Sequence, residues 1–243
     1  MVKALDDFSA RLERQKLEAI KELAYGASHE INNPLANIAA RAQTLLRDES
    51  APERRRSLEA IHQQAMRAHE MISDLMLFAR PPQLNIESVD LGELVRSVAD
   101  HFEAEFQQQH IRLTLDLPET ACLVQGDSQQ LAVAIRALCA NSAEAIGDQG
   151  AIEITLGLNE ADNTARIEVS DTGTGISTEV REHLFDPFYS GREAGRGLGF
   201  GLSKCWRIVT DHGGSIVVDD TRSQGARISI CLPMAVAADN TTA

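Results

Sequence analysis

Apolar residues recur at three-and-four spacing through Leu17, Ile20, Ala24, Ala27, Ile31, Leu35, Ile38, Ala42 and Leu45, the pattern of one helix face. Leu5, Phe8 and Leu12 precede them in a shifted register, so the pattern predicts one helix from about Leu5 to Leu46. A run of that length without a cap reads as coiled coil or bundle. Residues Arg47 to Glu53, with Ser50 and Pro52, break it. A second helix then carries Leu58, Ile61, Ala65, Ala68, Ile72, Leu75 and Ala79 until Pro81 and Pro82 stop it. The short link makes the two helices antiparallel neighbours. Two helices cannot enclose a core, and each stripe is wide enough to need more than one partner. A second copy of the chain, completing a dimeric four-helix bundle, is the economical solution, ahead of a lone hairpin docked on the later residues.

The pattern changes after the double proline, which places the domain boundary near Pro82. A helix bearing Leu91, Leu94, Val95, Val98, Phe102 and Phe106 leads into Ile111 to Leu117, where apolar and polar residues alternate as in a strand with one buried face. A short strand is expected near Cys122 to Val124, then a helix from about Asp127 to Ile146. Two further alternating runs, Ile152 to Leu156 and Ala165 to Val169, flank Asn163 as a turn signal. A last helix from Gly199 to about Asp211 is stopped by Gly213 and Gly214, and strands at Ile216 to Val218 and Ala226 to Leu232 close the domain. Clean alternation argues for a sheet with helices on one face only. The divisions expected are a helical domain at 1–82, an α/β domain at 83–236 and a disordered tail at 237–243.

Composition narrows the classes. With 36 acidic against 23 basic residues the chain carries a net charge of -13, which disfavours nucleic acid and anionic membrane surfaces as partners. Cys122, Cys139, Cys205 and Cys231 lie far apart in apolar patterns, without metal-ligand spacing, and read as core residues in a reducing compartment. No apolar run approaches membrane-spanning length. The expected location is the cytoplasm, either for the protein or for the cytoplasmic portion of a longer one.

The candidate chemistry starts at Ser28 to Ala36, Ser-His-Glu-Ile-Asn-Asn-Pro-Leu-Ala, inside the first helix. With Ile31, Ile38 and Leu45 at position a of a heptad, His29 falls at f and faces solvent. Glu30 follows it, Asn33 lies one turn further on, and Pro34 removes the donor to the Glu30 carbonyl, predicting a bend. Three spots in the second domain break local rules. Asn141 occupies a stripe of Ala134, Leu138 and Ala145 where an apolar residue was due, so it needs a partner, a metal ion or ligand being one. Asp171-Thr172-Gly173-Thr174-Gly175 follows a strand end, where an aspartate can accept from a ligand donor and glycines let backbone approach it. Gly195, Gly197, Gly199 and Gly201 alternate into a helix start, an arrangement suited to phosphates.

In this order the motifs resemble the sensor histidine kinases over about Leu17 to Pro233. Ser28 to Leu35 is similar to their phosphoacceptor box, Asn141-Ser142-Ala143-Glu144-Ala145 to the N box, and Asp171 to Ile176 to the first glycine box. Leu184 to Tyr189 is similar to the F box, and Gly195 to Leu202 to the second glycine box. The resemblance implies a dimeric helical hairpin joined to a two-layer α/β ATP-binding domain of the Bergerat type. It implies that His29 autophosphorylates from ATP and passes the phosphoryl group to an aspartate of a response regulator, with Glu30 orienting the imidazole. Asn141 would coordinate Mg²⁺ and Asp171 would bond the adenine amino group, with Gly173 and Gly175 giving the base room. Gly197, Leu198, Gly199 and Gly201 would form a lid and phosphate cradle with Phe188 anchoring it, and the charge and place of Arg192 and Arg196 suit them to touch phosphates. Asn33 suggests a phosphatase activity toward the regulator, in competition with a structural role beside Pro34. The chain departs from the pattern at Ala137, where the family often has a second Asn and ATP-hydrolysing relatives a Glu, which argues against a simple ATPase. The alternatives are a dimeric ATP-binding interaction module, a serine-directed kinase with the same ATP fold, and a hydrolase using His29 with His62 or His69. Those last two histidines, seven residues apart on the second helix, read more simply as an exposed stripe.

Overall fold

A computed structural model describes Gly26, Ser28 and residues 30–79, 82–159, 162–186, 189, 199–219 and 224–234, with backbone alone at 74, 75 and 77–79. It divides into two compact units, Met1–Pro82 and Gln83–Ala243.

The first unit is a hairpin of α1 (residues 30–48) and α2 (Pro52–Ala79). The helices are antiparallel and held on small residues: among the described residues, Ala39, Ala42 and Ala65 are the buried apolar side chains. Alanine contacts let the backbones approach, and polar groups of α2 then reach α1 directly. Arg55 Nη1 donates to the Leu46 carbonyl (3.3 Å), His62 Nδ1 to the Ala39 carbonyl (3.1 Å) and His69 Nδ1 to Asn32 Oδ1 (3.1 Å). Both sets of partners recur every seven residues, the heptad of a coiled coil. The face of α1 turned to α2 is therefore that of Asn32, Ala39 and Leu46, one residue on from the stripe expected. Ile31, Ile38 and Leu45 remain 40%, 45% and 60% exposed.

In the second unit, β1 (Glu87–Asp90) pairs antiparallel with β3 (Leu123–Gly126). The main sheet comprises β2 (Ile111–Asp116), β4 (Gly150–Asn159), β5 (Thr164–Asp171), β6 (Ser215–Val218) and β7 (Arg227–Pro233), in the order β2-β4-β5-β7-β6. Only β2 and β4 run parallel. Helices α3 (Leu91–Gln108), α4 (Ser128–Ile146) and α6 (Gly201–Asp211) pack on it, α4 in the middle, while α5 (Thr178–Glu182) is one short turn. Strand alternation sends Ile152, Ile154, Leu156, Ile167, Val169, Ile228, Ile230 and Leu232 inward against Val95, Phe106, Leu131, Leu138 and Ile208. The outward face is polar. Arg166 and Arg227 both pair with Glu168, Arg166 Nη2 donates to Ser229 Oγ and Arg227 Nε to Ser170 Oγ. The expectation of helices on one face is met.

The turn at Asn163 adopts φ 49°, as its residue type predicts. Neither β1 nor α5 was expected, both being too short to show a period. Asp127 caps α4 and also accepts from the Asn85 backbone N–H. Burial pushes its carboxyl up, but the hydrogen bonds from Asn85, Gln129 and Gln130 outweigh burial and hold it below the ordinary value of 3.8. Among the described residues no helix is long and apolar enough to cross a membrane.

Candidate nucleotide site and phosphoacceptor helix

Asp171 ends β5 and is 3% exposed, a placement that requires its charge to be satisfied locally. Its Oδ1 accepts from the Gly173 N–H (2.8 Å) and the Ala226 N–H (3.1 Å), and Oδ2 from Ser142 Oγ (3.0 Å). A carboxylate offers about four acceptor positions, so the described donors leave one on Oδ2. Backbone pairing continues through it, the Asp171 N–H donating to the Ala226 carbonyl at 2.9 Å. Gly225 makes this close joint of β5 and β7 possible. Its φ is +72°, and a Cβ there would stand 1.9 Å from the Asp171 carbonyl oxygen.

The loop after Asp171 is docked on α4. The Thr174 N–H donates to the Ala145 carbonyl (3.3 Å), and a Cβ on Gly173 would meet Ala145 backbone carbon at 2.7 Å. Gly173 is thus required for loop-to-helix contact rather than only for room beside a ligand. Gly175 adopts φ +78° against Gly225.

Asn141 differs from the expectation. It is half-exposed, as is Ala145, whereas Ala134 and Leu138 on the same stripe are buried. The last turns of α4 pass from the sheet to the loop at 171–174, so the stripe emerges from the core at Asn141, and the polar residue turned inward is its neighbour Ser142. An amide oxygen at a rim suits Mg²⁺, which takes one or two protein oxygens and keeps water and phosphate for the rest. No cluster of three or more acidic, His or Cys ligands competes for an ion among the described residues.

Gly199 (φ +72°) precedes α6 and Gly201 is its first residue. Side chains of Asp90, Asp127 and Ser177 cap α3, α4 and α5, whereas α6 starts at Phe200 with no side-chain cap. In the F-box stretch, His183 Nδ1 lies 2.7 Å from Asp186 Oδ2, and its ring lies against Tyr189.

In the hairpin, Glu30 and Asn33 are exposed and Ser28 is 2% exposed. The Asn33 carbonyl accepts from Asn37 Nδ2 at 3.1 Å. His62 and His69 are not an exposed stripe. Both are half-buried and face α1, because the alanine-lined contact brings α1 within reach of each imidazole. His29, Phe188, Arg192, Arg196, Gly197 and Leu198 lie outside the described residues.

Sequence reasoning missed Ser142, Gly225 and Ala226. Ser142 was readable as a small polar residue on a buried helix face, and Gly225 as a glycine just before the last strand. That Gly225 would meet Asp171, more than fifty residues earlier, follows only from β5–β7 pairing.

A one-sided mixed sheet carrying a buried, triply held aspartate at a strand end is the arrangement that the resemblance to an ATP-binding domain implies. Residues 126–236 match the family described as histidine kinase-, DNA gyrase B- and HSP90-like ATPase, and residues 19–83 match the His Kinase A (phospho-acceptor) domain. Sensor histidine kinase ZraS of Escherichia coli O157:H7 is 31% identical over 224 residues, covering 91% of this chain and 48% of that protein. Sporulation kinase D of Bacillus subtilis (strain 168) is 31% identical over 223 residues, covering 91% and 43%. The solved catalytic domain of histidine kinase ThkA is 29% identical with a TM-score of 0.56, covering 62% of this chain and 96% of that one. The complex of ThkA with response regulator protein TrrA (24% identical, TM-score 0.66, 95% and 66% covered) shares the fold. Together the matches mark the chain as a sensor histidine kinase catalytic core, a phospho-acceptor domain followed by an ATPase domain. It spans about half the length of the curated relatives it matches.

Proposed function

We propose that the chain is an ATP-dependent protein-histidine kinase acting as a homodimer, which phosphorylates His29 and passes the phosphoryl group to an aspartate of a response regulator. The observation that carries the reading is the buried Asp171 carboxylate, held by Ser142, Gly173 and Ala226 with one acceptor position left for the amino group of adenine. Gly175 and Thr174 shape the loop beside it. The uncapped start of α6, preceded by Gly199, offers backbone N–H groups to phosphates. Gly197 and Leu198 are assigned there by motif, with Phe188 as the anchor, and Arg192 and Arg196 by their charge and place in the sequence. Asn141 supplies an amide oxygen for Mg²⁺, and the ion when bound neutralises phosphate charge.

On the hairpin, a neutral ring nitrogen of His29 attacks the γ-phosphorus of ATP, and the bond to the β-γ bridging oxygen breaks with release of ADP. The exposed Glu30 carboxylate steadies the other ring nitrogen and its proton. A later transfer to a regulator carboxylate regenerates the imidazole. A structure of ShkA in complex with AMPPNP and the ThkA complex with response regulator protein TrrA share this fold and support this reading. A second reading, dephosphorylation of the regulator, is favoured by Asn33, whose exposed amide faces out from the same helix as Glu30.

The dimer rests on the unpartnered apolar stripe. Ile31, Ile38 and Leu45 of α1 and Ile61 (48% exposed) and Met66 (40%) of α2 are left exposed among the described residues of one hairpin, and a second hairpin would cover them. Incubation with γ-labelled ATP tests the function. Acid-labile label on the wild type and none on His29→Gln or Asn141→Asp supports it. Equal label on wild type and His29→Gln overturns it.

A further inference from the structure

The polar links from Arg55, His62 and His69 of α2 to α1 are not equivalent. Two end on backbone carbonyls, at Leu46 and Ala39, and tie the helices together whatever side chains α1 carries. The third ends on a side chain, His69 Nδ1 donating to Asn32 Oδ1 at 3.1 Å, and Asn32 is three residues after His29. Asn32 is half-buried while its neighbours Ile31 and Asn33 and nearby Glu30 are exposed, so among residues 30–33 it is the one held from inside the hairpin. Pro34 has no N–H, so the Glu30 carbonyl lacks its usual partner four residues on, and this turn of α1 is one backbone hydrogen bond short. The side-chain link therefore falls where the helix is least able to fix its own rotation. A merely structural clasp would serve equally well through a carbonyl, as His62 does one heptad earlier in α2.

We propose that His69 is a positioning residue for phosphorylation of His29, acting through Asn32 to set the rotation of the helical turn that follows the phosphoacceptor. The proposal rests on the histidine-kinase reading for its role in the reaction. In-line transfer depends on placement to within about 1 Å, and Glu30 stands between His29 and Asn32, so the turn that His69 holds also carries the carboxylate assigned to the imidazole.

The test compares His69→Leu, His69→Asn and His62→Leu in the full chain. Asn places an N–H donor on Cγ where His has Nδ1, and Leu removes the donor while keeping bulk. His69→Leu is expected to lower the autophosphorylation kcat on the order of tenfold with KM for ATP unchanged. His69→Asn is expected to restore it, and His62→Leu to lower the melting temperature comparably with kcat retained. A second readout, the imidazole nitrogen resonances of His29, needs no turnover. They are expected to move in His69→Leu, return in His69→Asn and stay in place in His62→Leu. Wild-type kcat in His69→Leu, parallel losses in the two Leu variants, or an unmoved His29 spectrum in His69→Leu overturns the proposal. Absence of acid-labile label on the wild type would defeat the kinase reading instead, and the His29 spectra would still decide whether His69 governs that residue's surroundings.

Discussion

In the α/β unit the large side chains are inside: Ile152, Ile154, Ile167 and Ile230 are at most 1% exposed, and three helices close over them. In the hairpin the relation is reversed. Among its described residues the buried apolar side chains are alanines, and Ile31, Ile38, Leu45 and Ile61 stand 40% to 60% exposed. One unit finishes its own core and spends its irregular residues on a ligand site, while the other leaves its core half-made. The difference teaches how the chain divides labour. A nucleotide site needs a rigid, self-sufficient frame around a buried carboxylate, whereas a phosphoacceptor helix must keep one face wet and another for a partner.

The contrast can be broken from either side. Ile38→Glu puts a carboxylate on α1 of each protomer at the proposed dimer interface, so it is expected to weaken association by about 100-fold or more. Sedimentation should then report monomer, while ATP binding by the other unit persists. An unchanged dimer would mean that the stripe has another purpose. Gly225→Ala forces a Cβ into the Asp171 carbonyl at φ +72°, and is expected to cost the α/β unit about 3 kcal/mol or more. Its melting transition should drop while helical content from the hairpin is kept.

Asp171→Asn leaves Ser142 and two backbone N–H groups facing a single carbonyl oxygen and an amide nitrogen. ATP affinity is expected to fall by about 2 kcal/mol, on the order of 30-fold, in a calorimetric titration. The smallest effect concerns the thiols. Burial pushes Cys139 and Cys205 from 9.0 up to about 12. Their folded-state values are raised, so the stability they contribute is complete below pH 9.0 and declines as pH rises toward about 12. In the native chain at mildly alkaline pH, alkylating reagents should leave both intact, and denaturant should expose both.

The hairpin and the one-sided sheet were legible because their apolar periods are long and clean, from Leu17 to Leu45 and from Ile152 to Val169. The facing register of α1 was not. Periodicity locates a stripe about half a turn wide, and which edge of it meets α2 is decided by the close approach that Ala39, Ala42 and Ala65 permit. In the nucleotide site, Asp171 and the glycines around it stood out by violating local expectation. Its supports did not, because Ser142 and Ala226 are ordinary residues that become functional only through pairing over 29 and 55 positions. Asn141 was read as turned inward because the stripe was extrapolated past the point where α4 leaves the sheet. The histidines of α2 were read as exposed because a heptad of polar residues usually marks a wet face, and here it marks links to the neighbouring helix.

The central claim is that the imidazole of His29 receives the phosphoryl group. Peptide mapping by mass spectrometry, after incubation with ATP and Mg²⁺ and digestion at neutral to alkaline pH, tests it at the level of the residue. The account predicts one phosphoryl group, lost on acid treatment, on His29 and none on the adjacent Ser28, which is 2% exposed. Acid-stable phosphate on Ser28 or another serine, with His29 unmodified, would contradict it.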